Sequence, residues 1–268
     1  MMVLFFVGSS HWIAFVTNSF LLYALFFLTG IIAGWVDSIA GGGGLITIPV
    51  LLASGLSPQM VLGTNKFQAS FGSFTAAYYY SERGVVALKD AIPGIGFTFV
   101  GAAVGTIAVQ QIHPETLGWI IPFLLLGIAV YMLLMPATAF RERLPRMSRY
   151  VFYGLFGLAL GFYDGFFGPG VGSFWAIAFV AFLGFNLTRA TGYTKVMNFT
   201  SNVVSLAVFV LGGNVQFGAG ICMAAGQVLG ARLGSSMVIK HGVNFIRPIF
   251  VMIVILTTIK LLYSKIAQ

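Results

Sequence analysis

The chain has 268 residues, of which 59% are apolar and only 7% charged, and Lys+Arg 14 against Asp+Glu 6 give a formal net charge of +8. A soluble domain carries roughly 25% charged residues, so this composition cannot cover a water-facing surface and excludes a soluble globular protein. A spanning helix needs about 20 apolar residues. The length therefore holds about eight spans and no soluble module, and the basic excess reads as membrane orientation rather than nucleic-acid binding.

In chain order, the N-terminal apolar run has no preceding positive residue, so no cleaved signal peptide is expected. A first long segment over 12–40 ends in Gly34-Trp35-Val36-Asp37-Ser38 and a Gly-rich break, Gly41 to Gly44. A short apolar piece over 45–55 follows, about 16 Å of helix, which is half the hydrocarbon thickness. Full spans are predicted near 60–80, 90–111 and 116–136. The linker 137–149 carries Arg141, Arg143, Arg146 and Arg149 against Glu142, and its charge predicts a cytoplasmic loop. The pattern then starts again. A segment over 150–167 contains Gly161-Phe162-Tyr163-Asp164-Gly165 and runs into the break Gly168-Pro169-Gly170-Val171-Gly172. A short piece over 173–186 and spans near 190–211, 217–239 and 245–264 complete the chain.

Correspondences hold in register along the two halves. Gly63-Thr64-Asn65-Lys66 matches Gly192-Tyr193-Thr194-Lys195, and Gly84, Val86, Gly101 and Gly105 match Gly213, Val215, Gly230 and Gly234. The predicted fold is an all-α polytopic membrane protein of two homologous repeats, 1–136 and 150–268, joined by the basic linker. Half-length helices beside Gly-rich breaks, at matching places in two repeats, are the sequence mark of discontinuous helices around a transporter site. An inverted arrangement brings the two breaks together from opposite faces, whereas the count of loop Lys and Arg leaves a parallel one open.

Ionisable groups inside apolar segments are costly and point to function. Asp37 and Asp164 fit proton coupling, since desolvation raises a carboxyl pKa toward the working range. They equally fit capping of backbone N–H groups freed at the breaks. Lys66 and Lys195 stand at equivalent places. On the second-repeat helix Thr191, Lys195, Asn198, Asn202 and Ser205 share one face, while Asn65 and Gln68 make a shorter ridge beside Lys66. Such a stripe reads as a cavity lining, and interhelical hydrogen bonding is the blander alternative. Helices restarting at Leu45 and Ser173 would point the N–H groups of Gly43, Gly44, Gly172 and Ser173 into the gap. With two lysines, this favours an anionic substrate.

Other features carry less. The Gly run is not followed by Gly-Lys-Ser/Thr, so it is not a phosphate-binding P-loop. Arg232 either touches substrate or snorkels to the interface, and Cys222 is packing filler. His11, His113 and His241 lie near segment ends, with no clustered core carboxylates, so metal, cofactor and membrane-enzyme chemistry are not expected. A passive anion channel is the nearer rival. No nucleic-acid partner is expected, and a homodimer stays open.

The run Gly34 to Gly44, Pro49, Gly63-Thr64-Asn65-Lys66 and the segment Gly161 to Gly172 resemble the TauE/SafE family of bacterial permeases, in particular its YfcA-like subgroup. The resemblance covers nearly the whole chain. It implies an inner-membrane protein that moves anions, with sulfite, sulfoacetate and other organosulfur compounds as the associated substrates.

Overall fold

The computed structural model describes residues 19–134 and 144–241. All regular structure among these residues is helical. The first half holds α1 (Ser19–Ala40), α2 (Gly44–Ala53), α3 (Pro58–Glu82), α4 (Leu88–Gln110) and α5 (Pro114–Leu134). The second holds α6 (Arg149–Phe152), a π-helical turn (Tyr153–Gly157), α7 (Leu158–Phe166), α8 (Val171–Leu183), α9 (Leu187–Leu211) and α10 (Phe217–His241). Segments predicted at 12–18, 135–143 and 245–264 lie outside the described residues, Arg141 and Arg143 among them.

Local chemistry sets these boundaries. Pro58 stands at the start of α3, where its missing N–H costs nothing, and the Ser57 hydroxyl accepts from Met60 N at 3.5 Å. Asn186 caps α9 by accepting from Arg189 N at 2.9 Å. The short helices begin at Gly44 and Val171, one and two residues before the predicted Leu45 and Ser173, because the first free turn of each forms inside the Gly-rich break. The segment expected as one helix over 150–167 contains the π turn at Tyr153–Gly157. There a Cβ on Gly157 would lie 2.7 Å from Phe97 Cβ, and Gly94 and Gly101 of α4 pack closely on the same stretch.

Three helices, Phe20–Ala40, Leu88–Gln110 and Leu187–Leu211, are long and apolar enough to cross a membrane. Large apolar side chains such as Phe99, Val104 and Ile107 on α4 and Ile221, Leu229 and Leu233 on α10 face outward, as a lipid-facing surface requires. Inside, contact is made through small residues. Helices α1 and α10 run side by side in the same direction, Gly30 against Met223, Gly34 against Gln227 and Gly234 against Ser38. Helices α4 and α7 do the same, Gly101 against Leu158 and Gly105 against Phe162. Alanine at Gly226 or Gly165 would bring a Cβ to 2.2 Å from a carbonyl of the neighbouring helix, so backbone proximity depends on these glycines.

At the centre α3 and α9 cross antiparallel. A Cβ on Gly63 would lie 3.1 Å from Phe209 Cβ, the Phe74 and Phe199 rings are 5.2 Å apart, and a Cβ on Gly192 would lie 3.4 Å from Tyr80 Cβ. One end of the bundle is basic. There Arg149 pairs with Asp90 at 2.8 Å and Arg189 approaches it at 3.9 Å. Arg83 and Arg232 both stack on Tyr79, at 4.4 and 4.5 Å from the ring centre. The connections at the other end, 54–57, 111–113 and 212–216, contain no Lys or Arg.

Candidate functional site

The two breaks meet at the crossing of the bundle. Gly41 and Gly172 touch backbone to backbone, so that a Cβ on Gly41 would fall 2.3 Å from Gly172 Cα. Gly41 and Gly168 hold φ of +75° and +99°, a left-handed conformation that favours glycine. The contact is tied by the Ser173 hydroxyl, which donates to Ala40 O at 2.6 Å, and by the Tyr163 hydroxyl, which donates to Pro169 O at 2.7 Å.

Each buried lysine reaches the aspartate of the other half. Lys66, two turns into α3, donates to Asp164 Oδ1 at 2.5 Å, to the Asp164 main-chain carbonyl at 2.5 Å and to Asn202 Oδ1 at 3.4 Å. Lys195, two turns into α9, contacts Asp37 Oδ2 at 3.1 Å and donates to the Asp37 carbonyl. An isolated ammonium in an apolar interior is prohibitively expensive, so a buried lysine requires an arrangement of this kind.

The main-chain partners follow from the breaks. Asp37 and Asp164 sit in the last turns of α1 and α7, where carbonyls can lose their helical donors; the Asp37 carbonyl keeps Gly41 N at 2.8 Å and takes Lys195 on its second lone pair. At Asp164 the next-turn donor, Gly168 N, goes to Tyr163 O at 3.2 Å instead, and Lys66 fills the freed place. Each ammonium also lies against the negative end of a helix dipole.

The pairs are unequal. Lys66 and Asp164 side chains are 2% and 3% exposed, whereas the Asp37 side chain keeps 20%. The second Asp164 oxygen accepts from the Ser201 hydroxyl, while the second Asp37 oxygen accepts from Gly43 N at 3.4 Å. Break-amide capping is thus present at Asp37, and the Asp164 carboxylate is committed to Lys66 and Ser201.

A cavity of about 30 Å³ lies between the breaks, with Asp37, Asn65, Lys66, Asp164, Asn198 and Asn202 on its wall together with Gly44. That volume admits a water or two, not an organic anion. Asn198 Oδ1 is buried on this wall with no protein partner. Gln68 stands behind it, donating to Asn65 Oδ1 at 2.8 Å. Lys195 lies across Asp37 from the cavity, and Arg232 is on the exposed basic end, away from it. Ser205, the last member of the stripe, accepts from Thr106 at 2.8 Å.

Sequence reasoning missed Ser201 and Thr47. Ser201 falls three residues after Asn198, a helical step that extends the stripe's edge. Thr47, which donates to Asn65 Oδ1 at 2.6 Å, leaves no such trace, because its partner lies on another helix. Among the described residues no group of three or more His, Cys, Asp and Glu gathers as a metal site would require.

A family model described as Sulfite exporter TauE/SafE matches residues 26–261, a span containing both breaks and both ion pairs. The chain belongs to the TauE/SafE family. A protein of Escherichia coli strain K12, named Probable membrane transporter protein YfcA, is 46% identical over 254 residues, covering 95% of this chain and 94% of its own. One from Haemophilus influenzae, named Probable membrane transporter protein, is 45% identical over 91% of this chain and 96% of its own. Probable membrane transporter protein YunE of Bacillus subtilis is 22% identical over 91% of this chain. No solved structure matches the chain significantly. As a TauE/SafE member with apolar spanning helices, the protein is a membrane transporter.

Proposed function

We propose that the protein is a secondary carrier of small anions, sulfite or sulfonates among them, coupled to protons through Asp37 and Asp164. The observation that carries this reading is the cross-pairing of Lys66 with Asp164 and Lys195 with Asp37 beside a small cavity between two helix breaks. A lysine held by a carboxylate is not free to take an anion. Protonating the carboxylate removes its competitor, and the released ammonium, with Asn65, Gln68, Asn198 and Asn202 and the amides of Gly43, Gly44 and Gly172 nearby, can then compensate an entering anion; the Ser173 amide is held by Gly170 O at 3.0 Å and takes no part. Anion and proton move together in this scheme. The smallness of the cavity and the internally paired charges favour a carrier over a passive channel, and the transporter relatives favour either over an enzyme.

Two inverted repeats with an inner-membrane setting complete the proposal. Three features support inversion. Helices α3 and α9 cross antiparallel, α1 packs on α10 as α7 packs on α4, and Ser73 and Asn202, equivalent in register, meet through a 3.4 Å hydrogen bond. The basic end, including Arg146 and Arg149, is then cytoplasmic.

The test is flux of labelled sulfite and sulfonates in proteoliposomes, with and without an imposed pH gradient. Gradient-driven flux that is lost in Lys66→Met and Lys195→Met supports the scheme. Normal flux in both variants refutes the site, and flux indifferent to the gradient refutes the coupling.

A further inference from the structure

We propose that Lys66 and Lys195 act as tethered cations, each occupying an oxygen cage of the kind that binds Na⁺, so that transport by this chain is independent of Na⁺ and removal of a lysine opens a Na⁺ site. The ligands around the Lys66 ammonium are a main-chain carbonyl at 2.5 Å, a carboxylate oxygen at 2.5 Å and an amide oxygen at 3.4 Å. These are hard, uncharged or singly charged oxygens, the donor class that hard metal cations prefer at about 2.3–2.6 Å; the two Asp164 oxygens stand at that distance and Asn202 Oδ1 would have to move inward to join them. Carbonyls at the ends of broken helices serve Na⁺ in carriers built on discontinuous helices. Here the Asp164 carbonyl belongs to such an end, α7, and its helical donor has turned away to Tyr163.

Charge selects the class of cation. Each cage contains one carboxylate, so a monovalent cation leaves it neutral, whereas a divalent one would leave an uncompensated charge inside apolar surroundings. Space depends on a glycine. A Cβ on Gly168 would stand 2.8 Å from Asp164 Oδ1 and 2.9 Å from Lys66 Nζ, so any side chain there would intrude on the cage. The second half of the chain builds a plainer version with the partners exchanged: Lys195 bonds both the Asp37 carbonyl and Asp37 Oδ2, although that carbonyl also keeps its helical donor, Gly41 N, at 2.8 Å. A cation attached to the chain cannot cross with the substrate, so a Na⁺ gradient has nothing to act on.

This inference rests on the ion-pair geometry and needs no assumption about the anion carried. The test therefore reads Na⁺ binding with no substrate added. Purified native protein, Lys66→Ala, Lys195→Ala and Lys66→Ala/Asp164→Asn are melted in detergent in sodium chloride and in choline chloride at equal ionic strength. The native chain should show no difference. Lys66→Ala or Lys195→Ala should gain a saturable rise of about 3 °C in sodium chloride, and the added Asp164→Asn should abolish it for Lys66→Ala. If Lys66→Ala does not fold, Lys195→Ala decides, because its partner Asp37 is partly exposed and tolerates loss of its cation better. A saturable Na⁺ response in the native chain, or none in any lysine variant that folds, overturns the proposal. A Na⁺ response without sulfite or sulfonate flux would keep the cage and remove the anion assignment; flux without the response would do the reverse.

Discussion

Asp164 is 3% exposed where Asp37 is 20%, and this separates the two ion pairs. Lys66→Met leaves its carboxylate buried and unpaired, which costs about 3–5 kcal/mol when one partner of a buried pair is removed. Lys195→Met should cost distinctly less, because Asp37 retains 20% exposure and also accepts from Gly43. Denaturation in detergent should show this order. The double variant Lys66→Met/Asp164→Asn, which buries no charge, should return toward native stability while remaining inactive in proteoliposomes. If it recovers activity as well, the pair is structural. The spacing of Lys195, Asn198 and Asn202 made their shared face readable in the sequence, and all three are buried together. The pairing was not readable. Each lysine's partner comes from the opposite half, and helical periodicity reports which residues share a face, not which charge faces them.

Helix starts and stops were legible where backbone chemistry is local. The spans predicted near 60–80 and 190–211 match α3 and α9 to within three residues, and the structure sets their starts by the caps Ser57 and Asn186 and the end of α8 by the left-handed Gly184. The π turn was not, because one extra residue per turn leaves the apolar composition of Tyr153–Gly157 unchanged. The crossing of the breaks lay between these cases: the glycines were visible, their mutual contact was not. It yields a sharp contrast at this scale. Gly172→Ala places a Cβ 2.4 Å from Gly41 Cα, so one break must move and the cavity with it. Gly96→Ala meets nothing within 4 Å on exposed α4, and its effect should stay within about 1 kcal/mol. Melting temperature and flux should both fall in the first variant and hold in the second. Equal behaviour of the two would mean that the contact at Gly41 does not shape the site.

For the molecule as a whole, orientation and inversion are one question. Under the inversion we propose, the antiparallel α3–α9 crossing and the reciprocal packing of α1 on α10 and α7 on α4 would let each half present the other's geometry to the opposite membrane face. That is what an alternating carrier needs if its site is to open either way by similar motions. On the proposed orientation the charge asymmetry between the ends assigns the faces, with the arginine-rich end cytoplasmic. Leu144 in the basic linker and Leu211 at the end of α9 are 85% and 88% exposed, and they lie at opposite ends of the bundle. In a Cys222→Ala background, Leu144→Cys should react with a membrane-impermeant maleimide only when the cytoplasmic face is open. Leu211→Cys should react in intact spheroplasts. Both labelling from one face would break the antiparallel reading of α3 and α9. The reverse pattern would keep the inversion but turn the protein over, which would place Arg83, Arg149, Arg189 and Arg232 on the outer face against the charge rule.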